Sequence, residues 1–240
     1  MTQLPNYTFL MTEADSIPFQ EIQAILFDMD GTLIDTDDQA VLKFARWLQP
    51  ILGERAAQYV RWLLMQVESP ANALITLADR FHLDEPLKWV THWRLSRRKD
   101  PFITHFEIIP GVLEMLHALP ARYRLGIVTT RSRHQIEGFL AQFPDIATRF
   151  EVTCGSQDTR RLKPHPSPVQ EAARRLNLPV AACVMVGDTS VDMHSARRAG
   201  AWRIGVLCGF GRERELRRAG ANLILPSTAD LATYLQKLNN

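Results

Sequence analysis

Asp28 and Asp30 stand two positions apart in the stretch ILFDMDGTL (25–33), at the end of an apolar run. Like charges placed that closely repel, unless a turn or a ligand makes use of both. An Asp-Gly dipeptide between hydrophobic residues is, by itself, a signature of a tight hairpin turn. The pair therefore points to chemistry only in company, and three later segments supply it. Thr129 and Thr130 close the apolar run YRLGIVTT (123–130), Lys163 opens KPHP, and GDTSVD carries Asp188 with Asp192 four residues on. Singly, each has a plain structural reading: a strand-end hydroxyl, a solvated lysine, a helix cap, an acid on an exposed helix face. In this order, each near the end of a predicted strand, they form a set.

A hard divalent cation such as Mg²⁺ takes oxygen ligands, usually one or two carboxylates together with water and substrate phosphate. Asp28 and Asp188 are candidate metal ligands, with the backbone carbonyl of Asp30 as a third. The cation and Lys163 offset the repulsion between an anionic nucleophile and an anionic phosphate. A carboxylate is already ionised at neutral pH, so Asp28 can attack phosphorus without a base. Asp30 suits the acid/base role, protonating the leaving oxygen and later activating water. Thr129 and Thr130 are candidates for hydrogen bonding to phosphoryl oxygens.

The elements that must position these groups are legible as a repeating pattern. AILFD (24–28), YRLGIVTT, RFEVTCG (149–155), ACVMVGD (182–188), WRIGVLCG (202–209) and ANLILP (221–226) are short, Val/Ile-rich runs. All but the first are followed by helix-period segments, such as HQIEGFLAQF, SPVQEAARRLNL, SVDMHSARRAG, ERELRRAG and ADLATYLQKL. Strands alternating with helices predict an α/β fold, a doubly wound parallel sheet covered on both faces. Ligands in such sheets bind outside the carboxyl ends of the strands, where every residue named above is delivered.

Residues 38–104 break the alternation. Val41, Phe44, Ala45, Leu48, Ile51 and Leu52 recur at helical spacing, as do Leu74, Leu77, Ala78 and Phe81. Further helices are expected around Tyr59–Gln66 and after residues 84–86, and four of the five aromatics Trp47, Tyr59, Trp62, Trp89 and Trp93 fall on this set, as core residues rather than ligands. The expected organisation is an N-terminal extension (1–20), a catalytic α/β core (21–37 and 105–240) and a helical cap (38–104) inserted after the first strand. Arg46, Arg94 and Arg97 are the cap's candidates for a substrate carboxylate or second phosphate, against the simpler reading of surface exposure.

The 240 residues carry 28 basic and 26 acidic side chains, a net charge of +2 that gives no reason to expect nucleic acid or an anionic membrane as partner. Cys154, Cys183 and Cys208 are odd in number, widely spaced and without a CxxC, which argues for buried thiols over disulfides or zinc. The N-terminus lacks a basic start followed by an apolar segment, and no run approaches the roughly 18 apolar residues of a membrane span. A cytoplasmic monomer or homodimer acting on a small phosphorylated metabolite is the expectation. The Gly-x-Gly at 209–211 lacks a third glycine and follows a late strand, so it does not signal a dinucleotide.

DMDGTL, the strand-end Thr, KPHP and GDTSVD, in this order, resemble the haloacid dehalogenase superfamily of phosphatases over about residues 22–235. The resemblance implies a Rossmann-like core, an aspartyl-phosphate intermediate, Mg²⁺ and a mobile cap at the position of the 38–104 insert. It also implies that Asp192 orients Lys163 or a metal-bound water rather than binding metal directly. The segment AGAWRIGVLCGFGRERELRRAGANLILPS is similar to phosphoglycolate-phosphatase-like members, although Thr130 stands where those often carry Asn. Dehalogenating relatives lack an acid at the position of Asp30, which favours phosphoryl transfer. β-Phosphoglucomutase-like relatives tend to carry an acidic pair where this chain has Gly187-Asp188. A sugar phosphomutase and a non-catalytic phospho-acceptor module are the alternatives.

Overall fold

A computed structural model describes residues 10–11, 17–35 and 105–238. The proposed cap, with Arg46, Arg94 and Arg97, lies outside the described residues.

The chain's first long strand, β2 (Ala24–Phe27), is buried at every position. Successive side chains of a strand point to opposite faces, and here both faces are covered. Ile25 and Phe27 join one apolar cluster with residues of α1 (Val112–Ala118), α2 (Arg133–Gln142) and α7 (Leu231–Leu238). Ala24 and Leu26 join another with α4 (Ser167–Arg175) and α5 (Ser190–Ala199). A large apolar side chain buried this way contributes about 1.5–3 kcal/mol, which makes β2 the anchor of a three-layer structure.

Strands β3 (Arg124–Val128), β4 (Phe150–Cys154), β5 (Cys183–Gly187), β6 (Trp202–Val206) and β7 (Leu223–Leu225) follow. The sheet order is β1-β7-β6-β5-β2-β3-β4. Strands β2 to β7 are all parallel, in the doubly wound order that reverses direction beside the first strand. The seventh strand, β1 (Leu10–Met11), adds antiparallel to β7 and belongs to the N-terminal extension, for which the sequence suggested no role. Two short α-helices, α3 (Pro144–Ala147) and α6 (Glu213–Ala219), and two 3-10 turns, Val180–Ala182 and Thr228–Asp230, complete the described elements. Neither α1 nor α3 was anticipated. Among the described residues no helix is long and apolar enough to cross a membrane.

Register decides what meets at the sheet's carboxyl edge. Phe27 is level with Ile127 of β3 and Val186 of β5, so Asp28, Thr129 and Asp188 all emerge within a residue or two of one line. The Asp-Gly segment is not a two-residue hairpin. The amides of Thr32, Leu33 and Ile34 all donate to the Met29 carbonyl, and Gly31 sits at φ 66°. Beyond this turn Asp35 N donates to Glu107 O at 2.8 Å and Ile109 N to Leu33 O at 3.0 Å. The segments on either side of residues 36–104 are therefore paired with each other directly beside the acidic pair.

Candidate active site

Asp28, Lys163, Asp188 and Asp192 converge between β2 and β5, where the strand order reverses. Lys163 comes from the loop after β4 and is buried, with its ammonium placed among three acceptors. It lies 2.6 Å from Asp192 Oδ1 and 2.8 Å from Asp28 Oδ1, and it donates to the Val128 carbonyl at 3.0 Å. An ammonium has three protons, so each has a use. Burial opposes the charge on Lys163, but Asp192 and Asp28 more than offset it and hold the side chain protonated, its pKa above the ordinary lysine value.

Asp192 is fully buried rather than on the exposed helix face that its place in α5 allowed. Its Oδ2 accepts from the Thr189 amide at 3.1 Å and the Thr189 hydroxyl at 2.6 Å, while Oδ1 faces Lys163. Both oxygens are thus engaged by the protein. This is the arrangement that orienting the lysine requires.

Among the described residues no ammonium contacts Asp188 directly. Phe210 N donates to its Oδ2 at 2.8 Å, and the Thr32 hydroxyl reaches its Oδ1 at 3.4 Å. The Gly-x-Gly at 209–211 owes its presence to this packing: a side chain on Gly209 or Gly211 would collide with Asp188. A side chain on Gly31 would meet the same carboxylate. Burial, reinforced by Asp192 and Asp28, pushes the Asp188 carboxyl well above its ordinary pKa. Burial likewise raises Asp28 to about 7, against the pull of Lys163.

One ligand oxygen from each of Asp28, Asp188 and Asp192 lies within 4.8 Å of the others. Among the described residues, three buried carboxylates share one ammonium, so the cluster carries more acid than base. A hard divalent cation fits this all-oxygen donor set, and that excess of acid is what it would offset. Since Asp192 is committed to Lys163 and Thr189, Asp28 and Asp188 are the carboxylates open to an ion.

Asp30 points elsewhere, onto a residue that sequence reasoning did not single out. Arg131, three residues past the end of β3, donates from Nε to Asp30 Oδ2 at 2.8 Å and from Nη2 to Oδ1 at 2.5 Å. Its guanidinium carbon lies 5.6 Å from the centre of the Phe106 ring. The Arg131 amide donates to Thr129 Oγ1 at 3.2 Å, so this hydroxyl keeps its proton for another acceptor. Thr129 is buried. Thr130 is exposed, and among the described residues no hydrogen bond ties its hydroxyl to the cluster. The turn behind Arg131 is set by Ser132, whose amide and hydroxyl exchange hydrogen bonds with Gln135 at the start of α2. No sequence pattern marks an arginine in that place.

The three thiols are electrostatically quiet. Burial pushes Cys154 up to about 12 and Cys183 to about 11, and raises Cys208 as well, so they are not thiolates at neutral pH.

The family model for haloacid dehalogenase-like hydrolases matches residues 25–206. The pyrophosphatase PpaX of Bacillus pumilus is 31% identical over 215 residues, covering 88% of this chain and 94% of that protein. Among solved structures, a predicted phosphatase from Clostridium acetobutylicum superimposes with a TM-score of 0.63 at 22% identity, covering 90% of this chain and 99% of the other. A predicted phosphoglycolate phosphatase from Haemophilus somnus gives 0.60 at 22% identity, covering 90% and 99%. At that identity the structural likeness speaks for the fold. With the family model spanning the core from β2 to β6, this chain belongs to the haloacid dehalogenase-like hydrolases.

Proposed function

We propose that the protein is a Mg²⁺-dependent phosphatase that hydrolyses a small phosphorylated metabolite through an aspartyl-phosphate on Asp28. The observation that carries this reading is the placement of Asp28: a buried carboxylate at the sheet's carboxyl edge, with Lys163 at 2.8 Å and Asp188 beside the same hollow. Asp28 and Asp188, with the Asp30 carbonyl, would hold the ion. When bound it would supply positive charge that draws the phosphoryl oxygens in and screens them from the attacking carboxylate.

The remaining work falls to the protein's own groups. Lys163, fixed by Asp192, stabilises negative charge on the phosphoryl group as Asp28 attacks. Thr129 offers its free hydroxyl proton to a phosphoryl oxygen, and Thr130 is the next candidate along the loop. In the first half-reaction the Asp28–phosphorus bond forms and the phosphorus–leaving-oxygen bond breaks, with a proton from Asp30 completing the leaving alcohol. In the second, water attacks phosphorus, its proton passes to Asp30, and Asp28 is released.

The segment 38–104, read as a helical cap, is the part assigned to substrate choice. Its points of departure and return, Asp35 and Glu107, flank the site, which supports that assignment. The pyrophosphatases among the relatives make inorganic pyrophosphate the first compound to try beside monoesters.

Phosphate release should be measured over a metabolite panel, with a chelator and after adding Mg²⁺. Activity should vanish with chelation and return with the ion. Asp28→Asn should abolish turnover while the far-ultraviolet circular dichroism is unchanged; substantial residual turnover would reject Asp28 as nucleophile. Isomerisation of a sugar phosphate without phosphate release would instead favour a mutase.

A further inference from the structure

We infer that Ser195 is a positioning residue for Lys163, fixing the turn that delivers its ammonium to Asp28, with Arg198 in a supporting part. The value of that ammonium to the reaction rests on the phosphatase reading above; the placement of the turn does not. Ser195 and Arg198 lie beyond the GDTSVD motif, and both act on the backbone of KPHP. The His165 amide donates to the Leu162 carbonyl at 2.9 Å, closing a turn around Lys163 and Pro164. The next two carbonyls along the chain are held by α5. Ser195 Oγ donates to His165 O at 2.7 Å, and Arg198 Nη1 to Pro164 O at 3.1 Å. Asp192, on the same helix, receives the Lys163 ammonium at 2.6 Å. Asp192, Ser195 and Arg198 follow at three-residue steps, which sets them side by side on the helix surface. One helix thus holds both the tip of the lysine and the backbone just past its root.

The residue type at 195 supports this role. The position is fully buried, where alanine would pack and would favour the helix. A serine inside a helix commonly turns its hydroxyl back to the carbonyl one turn earlier, whereas this one reaches a carbonyl 30 positions away. The lysine stem is long and flexible, yet its ammonium must meet Val128, Asp192 and Asp28 together. Those three contacts hold only while the backbone at Lys163 stays in place, and a displacement of about 1 Å can cost about a hundredfold in rate.

The test uses full-length protein carrying ¹⁵N-labelled lysine, with Ser195→Ala and Arg198→Met as the variants. Lys163→Arg identifies the Lys163 ammonium signal in the nuclear magnetic resonance spectrum by removing it. Ser195→Ala should shift that signal and speed its proton exchange with water, and Arg198→Met should do so to a smaller degree. Ile146→Val in α3, within the apolar cluster on the other face of the sheet, is the control for lost stability alone and should leave the signal where it is. With p-nitrophenyl phosphate and Mg²⁺, kcat should fall about tenfold in Ser195→Ala and stay unchanged in the control. A Lys163 signal unmoved by Ser195→Ala would overturn the inference and leave Ser195 a packing residue; so would an unchanged kcat, or a control that moves the signal equally. If Ser195→Ala does not fold, judged by circular dichroism, the same criteria apply to Arg198→Met. Failure of the phosphatase reading looks different: the unmodified protein would release no phosphate from any compound, while the Lys163 signal would still answer to Ser195→Ala.

Discussion

Lys163→Met is the sharpest test of how the site is held together. The Lys163 side chain is 3% exposed, and its ammonium lies 2.6 Å from Asp192 and 2.8 Å from Asp28, whose side chains are 1% and 11% exposed. Replacing it with methionine fills much of the same volume but strands two carboxylates without their cation. Removing one partner of a buried pair costs about 3–5 kcal/mol, because the remaining charge is left uncompensated. For a chain of this length that corresponds to a fall in melting temperature of about 6–20 °C. Since the folded pKa of Lys163 is raised, its stabilisation is fully present below the unfolded value of about 10.4 and is lost only as pH rises through the folded value. Without Lys163 to pull the Asp28 carboxyl, already raised to about 7, back toward ionisation, the loss should be larger at pH 8 than at pH 7. Urea denaturation with a chelator present gives the measurement. Adding Asp192→Asn to Lys163→Met should recover part of the loss, with a coupling of about 1–3 kcal/mol, because one stranded charge has gone. A loss below about 1 kcal/mol, or strictly additive losses in the double variant, would refute the argument that Lys163 is the counter-charge of this cluster.

Two further substitutions probe the scaffold around the site. Gly31→Ala combines a φ of 66° with a methyl group directed into Asp188; it should destabilise the protein by about 1–3 kcal/mol and lower activity, measured by urea titration and phosphate release. Asp158 is placed by ion pairs to Arg133 at 2.9 Å and Arg175 at 2.7 Å and accepts from the Gly155 amide at 2.8 Å. Burial works against its charge, yet Gly155, Arg175 and Arg133 hold its carboxyl below the ordinary range. Asp158→Asn should cost about 1–3 kcal/mol at pH 7. The stabilisation from a depressed carboxyl is complete above the unfolded pKa near 3.9 and fades as pH falls through the folded value. The difference between the two proteins should therefore shrink below about pH 4; a difference that persists at pH 3 would count against the ion pairs as its source.

How far each feature could be read from residue types depended on the range of the interactions that create it. Strands β2, β5 and β7 were legible because a strand buried on both faces must be a continuous apolar run, a property of neighbouring residues, while β3, β4 and β6, partly open, still showed as short Val/Ile-bearing runs followed by helix-period segments. The chemistry at their ends was legible for a related reason: parallel strands linked by helices all present their carboxyl ends to one edge. Once six such strands are recognised, Asp28, Thr129, Lys163 and Asp188 are brought to the same place. The family resemblance carried by the four motifs agreed with that expectation.

Other features exist only as tertiary contacts. Arg131 reaches Asp30 across 101 positions of sequence, and nothing local distinguishes it from the exposed arginines nearby. The Gly-x-Gly at 209–211 looked like a fragment of a nucleotide motif, but its glycines answer to the carboxylate of Asp188, which lies against them only in the folded chain. Strand β1 is two residues long and gains its identity from pairing with β7, while α1 is a short helix confined between Pro110 and Pro120 that left too few turns for a periodic signal. Residue order alone determined the layered fold and the kinds of group delivered to its edge, since periodicity and strand-end chemistry are local. Tertiary packing decided which charges touch, that Asp192 is spent on Lys163, and that Asp30 is held by Arg131, because those pairings depend on distances that no spacing along the chain encodes.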